Sequence, residues 1–94
     1  MKVKITKKTS NELKIEVEDA GHTLCNLLQK NLLGDANVDL AGYEMPHPLA
    51  SSAIIYVRTK KGVDPEEVLL KAIKKTREIN NEFGRELKKV LKKT

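Results

Sequence analysis

A chain of 94 residues with a single cysteine and a net charge of +5 has no disulfide framework to rely on, so packing must hold its fold. At this size a domain buries only about 60–65% of the surface its unfolded chain exposes, which leaves room for help from a partner. No apolar run approaches the ~18 residues of a membrane helix, and the N-terminus alternates lysine with Val3 and Ile5 in place of an apolar leader; the expectation is one untargeted, cytoplasmic domain spanning residues 1–94.

Residues 2–8, KVKITKK, alternate Val3 and Ile5 with lysines, and residues 12–18, ELKIEVE, alternate Leu13, Ile15 and Val17 with charges. A period of two predicts half-buried strands, and the turn formers Thr9, Ser10 and Asn11 between them predict a hairpin. From Thr23 the spacing of Leu24, Leu27, Leu28 and Leu32 is that of one helical face, with Gly34 placed for a left-handed cap. Val38 and Leu40 alternate again, and residues 53–59, AIIYVRT, are rich in β-branched and aromatic types, which predicts strands three and four. Between these strands Pro46 and Pro48 bracket His47, removing two backbone donors and biasing their neighbours toward extended geometry.

The sequence DPEE predicts a second helix, with Asp64 as cap, Pro65 at the first helical position and Glu67 closing a capping box. Val68, Leu69, Ala72, Ile73, Thr76, Ile79, Phe83, Leu87, Val90 and Leu91 then form a stripe about 140° wide at 100° per residue. The order ββαββα predicts an α+β fold of two layers, a four-stranded antiparallel sheet with both helices on one face and a long C-terminal helix. A straight helix over residues 68–91 would run about 36 Å, against about 23 Å for a seven-residue strand and about 19 Å across four strands. On that geometry the stripe near Phe83, Leu87, Val90 and Leu91 outruns the sheet and asks for a second chain. A bent or frayed tail, helped by Gly84, is the other reading.

The positive charge is not spread evenly. Residues 65–94 hold nine basic and five acidic side chains, and they carry nearly all of the excess. Glu66 and Glu67 sit at the start of that helix and Lys88, Lys89, Lys92 and Lys93 at its end, which complements a helix dipole and makes a solvated face. Aromatic content of 3% leaves almost no platform for stacking single-stranded nucleic acid.

Chemistry is hard to build from these residues. His22 and Cys25 are three apart, but two ligands do not make a metal site, and neither the P-loop nor the dinucleotide glycine pattern is present. Ser51 or Ser52 with His47 lacks any carboxylate or oxyanion hole that the sequence can place. No catalytic, metal or cofactor residue is assigned.

Three phrases carry a resemblance: DAGHTLCNLLQKNLL at residues 19–33, VDLAGYEMPHPL at 38–49 and IIYVRT at 54–59. Together they resemble the small alpha-like subunits of RNA polymerase, the family of the archaeal L subunit, itself related to the bacterial alpha N-terminal dimerisation domain. The resemblance implies a ββαββα dimerisation fold that pairs with the larger alpha-like polypeptide of the same enzyme, the archaeal D subunit. It also implies an assembly platform for the large catalytic subunits, joined by the small zinc-binding N and P subunits, with catalysis elsewhere. Joined to the apolar stripes, it places a partner interface at Leu24, Leu27, Leu28, Leu32, Ile79, Phe83, Leu87, Val90 and Leu91. It makes His47, Pro48 and Leu49 a docking loop. One departure stands out: the family usually has glycine where this chain has Cys25.

Two other classes compete with a non-catalytic polymerase subunit. A free-standing basic nucleic-acid-binding module would show salt-dependent DNA binding by the isolated chain. A small enzyme of the pterin-carbinolamine dehydratase type shares a similar element order but needs clustered histidines, and this chain has two.

Overall fold

A computed structural model describes residues 2–45, 52–75, 85–87 and 89–90. Four strands and two helices follow in the order β1 (Val3–Lys8), β2 (Glu12–Glu18), α1 (His22–Leu33), β3 (Val38–Glu44), β4 (Ser52–Thr59) and α2 (Pro65–Lys75). The strands form one antiparallel sheet in the spatial order β1-β2-β4-β3. Because β4 pairs antiparallel with both β2 and β3, the unit β2-α1-β3 is a split crossover whose two parallel strands admit β4 between them. No helix among the described residues is long and apolar enough to cross a membrane.

The strict alternation in β2 and β4 decides the layering. Leu13, Ile15 and Val17 pair with Val57, Ile55 and Ala53, so the apolar side chains of the two central strands lie on one face. α1 packs over β3 and β4, α2 over β2 and β4, and the helices touch each other. Cys25, Leu28, Leu32, Val68, Leu69 and Ala72 meet the strand residues in one core. The opposite face carries Glu12, Lys14, Glu16, Tyr56 and Arg58, which remain partly exposed.

One local expectation is corrected, and another falls partly outside the described residues. Gly34 ends α1 at φ −77, ψ −9, in the right-handed region, and the helix closes through Gly34 N–H to Lys30 O and Asp35 N–H to Leu32 O. A tightened last turn satisfies the terminal carbonyls without a left-handed residue. The second helix is described as α2 to Lys75, with further helical residues at 85–87 and 89–90. The continuous helix over 68–91 thus falls partly outside the described residues.

A bulge in β1 re-aims two lysines. Ile5 pairs with Ile15, but Lys7 pairs with Lys14 and Lys8 with Leu13, so the register shifts by one residue at Thr6. Simple alternation from Val3 would put Lys8 on the open face. The extra residue turns it to the helix face instead, opposite Leu13, as bulges do. There Lys8 Nζ meets the carboxylate of Glu66, a side chain buried in the first turn of α2. Asp64 Oδ1 accepts the Glu66 N–H at 3.0 Å, so the expected cap is present.

Removing the cation while the carboxylate stays buried is the expensive substitution. Lys8→Met is expected to destabilise the chain by about 1–3 kcal/mol, less than for a fully buried pair because the lysine side chain is 54% exposed. Adding Glu66→Met should recover most of that loss. Urea unfolding of the single and double variants checks both.

Candidate partner interface

The helices contain three pairs of adjacent leucines, Leu27 with Leu28, Leu32 with Leu33 and Leu69 with Leu70. Neighbouring side chains on a helix diverge by about 100°, so both members of a pair cannot face the same sheet. The structure divides each pair. Leu28, Leu32 and Leu69 are 0% exposed, whereas Leu33 is 53% exposed. Leu27 and Leu70 are half-buried. Leu24 and Ile73 share that partly exposed condition at the margin of the core, as does Val90. Leu24 and Leu27, three residues apart, share one flank of α1, and Leu33 falls on the other beside Asn26, Gln29 and Lys30.

The sequence-derived interface is therefore split. Leu24, Leu27 and Val90 are partly exposed and open to further contact. Leu28 and Leu32 face the sheet and belong to the chain's own core, because they form the centre of the stripe and not its margin. Leu87 is also corrected: it is 0% exposed and part of the same core, not left beyond the sheet. Burial of an apolar side chain gains about 25 cal/mol per Å², so a leucine that reaches core surface in its own chain is covered there. Ile79, Phe83 and Leu91 lie outside the described residues, as do His47, Pro48 and Leu49 of the docking loop. Helical periodicity alone misses Leu33 and Leu70. Their signal lies in the adjacent leucines, which widen the apolar arc past what one face can bury.

The two quoted phrases around His22 and Tyr43 are joined by side chains. The Tyr43 hydroxyl donates to Asn26 Oδ1 at 3.0 Å and lies 3.1 Å from His22 Nδ1. Its single proton is used on Asn26, so His22 Nδ1 carries the proton and donates to the tyrosine oxygen. The imidazole also meets the phenol edge-on, with ring centroids 5.8 Å apart and planes at 64°. His22 and Asn26, one turn apart on α1, thus hold the strand that leads into residues 46–50. Cys25, three residues on from His22, turns inward and is buried in the core, and burial pushes its thiol pKa up. His22 is exposed, whereas Cys25 is buried. The Cys25 side chain fills space between α1 and the sheet.

On the open face, Lys7 Nζ pairs with Glu12 Oε2 at 3.0 Å, and the Tyr56 hydroxyl donates to Glu12 Oε1 at 3.0 Å. The hydrogen bond from Lys7, with a second from Tyr56, holds the Glu12 carboxyl below its ordinary pKa. Lys7 and Lys8 thus each have an acidic partner, and Lys89 sits 3.6 Å from Glu86. Paired lysines present a weaker field to a phosphate backbone than free ones.

A layer of two helices on one sheet face leaves Leu33 exposed and other apolar side chains only partly covered at its margin. The chain belongs to the RNA polymerase Rpb3/Rpb11 dimerisation domain family, whose profile matches residues 12–86. It is 37% identical over 93 residues to the DNA-directed RNA polymerase subunit Rpo11 of Sulfurisphaera tokodaii, covering 99% of this chain and 100% of that protein. To the Rpo11 subunit of Methanothrix thermoacetophila it is 37% identical over 92 residues, covering 98% of this chain and 100% of the relative. The crystal structure of DNA-directed RNA polymerase subunit L from Thermoplasma acidophilum superposes with a TM-score of 0.70 at 28% identity, over 96% of this chain and 88% of that one.

Tyr43→Phe keeps the ring and removes both hydrogen bonds. It is expected to lower stability by about 1 kcal/mol and to speed amide exchange in the first turn of α1. Exchange read residue by residue from Thr23 to Asn26, beside the thermal midpoint, checks it.

Proposed function

We propose that this chain is the small, non-catalytic half of an alpha-like heterodimer in an archaeal DNA-directed RNA polymerase, the counterpart of the L subunit. Residues 1–94 act as one dimerisation domain in the cytoplasm. The partner is the larger alpha-like polypeptide, the D subunit, and the pair forms the platform on which the large catalytic subunits assemble, with the small N and P subunits alongside. Nucleotidyl transfer belongs to other subunits of that complex. His47, Pro48 and Leu49 dock against a neighbouring subunit, their backbone stiffened by the two prolines.

The observation that carries this reading is the division of the leucine pairs. The chain covers Leu28, Leu32 and Leu69 completely and leaves Leu24, Leu27, Leu70 and Ile73 partly open, beside Val90. Ile79, Phe83 and Leu91 extend the same interface. Covering about 600 Å² of apolar surface gives a gross term of about 15 kcal/mol, from which association entropy and side-chain ordering remove a large share. The ion pairs of Lys7 and Lys8 weigh against a free nucleic-acid-binding module.

The test separates core from interface. Leu27→Asp combined with Ile73→Asp is expected to weaken binding to the larger alpha-like subunit at least 100-fold while leaving the circular dichroism spectrum intact. Leu28→Asp should unfold the chain, because it buries an unpaired carboxylate. Titration calorimetry with that purified subunit reads the first effect. Unchanged affinity in the double variant would place the interface elsewhere.

A further inference from the structure

The two edges of the sheet are guarded very differently. β1 at one edge carries Lys4, Lys7 and Lys8, all exposed, and is broken by the bulge at Thr6. Lysines and bulges are standard defences against the addition of a foreign strand. β3 at the other edge has its register shift at the start, between Val38 and Leu40. From Leu40 to Glu44 it then pairs residue for residue with β4, without lysine, proline or interruption. Among the described residues, no backbone hydrogen bond links residues 39–44 to anything beyond β4. The outward N–H and C=O groups of this run are a template for another strand.

The side chains around that edge define what fits. Leu40 is 45% exposed on the open face. A Cβ placed on Gly42 would meet no heavy atom within 4 Å. The glycine thus floors a notch of about 260 Å³ between Ile54 and Tyr56, with Lys14 and Glu44 at its sides. Asp39 and Glu44, both exposed, bracket the run, and neither has an ion pair among the described residues. Both ends of the edge are therefore acidic, whereas the opposite edge is basic.

Resting on the polymerase reading above, we infer that the β3 edge accepts an extended segment of another polymerase subunit as a fifth strand. The segment carries lysine or arginine near each end, to meet Asp39 and Glu44, and an apolar side chain between them to fill the notch over Gly42. Backbone bonds supply affinity in this mode, and the pocket supplies choice. The helical layer remains free for the larger alpha-like subunit, so the two faces of the chain bind different partners at once.

Amide hydrogen exchange over residues 39–44 tests this in three preparations: the isolated chain, the alpha-like heterodimer and the reconstituted polymerase. Exchange is expected to slow at least tenfold in the polymerase relative to the heterodimer, with the central strand residues 54–57 as internal reference. Asp39→Lys with Glu44→Lys should abolish that slowing and leave heterodimer formation intact. Equal rates in heterodimer and polymerase would overturn the inference while leaving the polymerase reading standing. Slowing in the isolated chain that grows with its own concentration would also overturn it, by assigning the edge to a second copy. A chain that joins neither the larger alpha-like subunit nor the polymerase would overturn the reading itself, and the inference with it.

Discussion

One sheet face can cover only one side of each helix laid on it, and everything distinctive in this chain follows from that limit. α1 and α2 carry leucines in adjacent pairs, and the 100° between neighbours forces one member of each pair out of the layer. A monomer optimised to stand alone would put a lysine or glutamate at those outer positions. Leu27, Leu33 and Leu70 stand there instead. Singly, an exposed leucine means little. Joined by the half-buried Leu27 and Leu70, on the two helices of a chain too small to bury its surface well, Leu33 supports the proposed reading of this layer as half of a larger core.

Charge is handled by the same economy. The bulge at Thr6 sends Lys7 to the open face, where Glu12 and Tyr56 receive it, and Lys8 to the helix face, where Glu66 does. A single inserted residue therefore ties the first strand both to β4 through Tyr56 and to the start of α2 through Glu66. It also disarms the β1 edge, leaving β3 as the approachable one. Of the lysines, Lys8 pins the sheet to the helix layer through Glu66, and Lys7 is paired within the sheet by Glu12.

Much of this is legible in the sequence. The period-two runs at 2–8 and 12–18, the helix opening at DPEE and the strand around Ile54 to Thr59 appear where their spacing puts them. Three things are not. A bulge leaves no mark in apolar alternation once the apolar residues have ended at Ile5, so simple alternation puts Lys8 on the wrong face. Gly34 suggests a left-handed cap because glycine permits that conformation, yet a helix that closes on its own carbonyls does not need it. Extending a straight helix to place Leu87 counts length and ignores that a chain end is covered wherever its own core offers surface. The candidate site is blurred for the same reason: periodicity finds the centre of an apolar stripe, which the chain keeps for itself, whereas the proposed partner would be left the margin.

The central claim is that these margins are uncovered core, completed by the larger alpha-like subunit. Thermal unfolding of the chain across a titration of that subunit tests it most directly, since anything that binds only the folded state raises the midpoint with its concentration. The account predicts a midpoint that climbs steadily with added partner until the sites are filled. A midpoint unmoved by a large excess of the partner would contradict it, because Leu24, Leu27, Leu70 and Ile73 would then have gained no cover from the association.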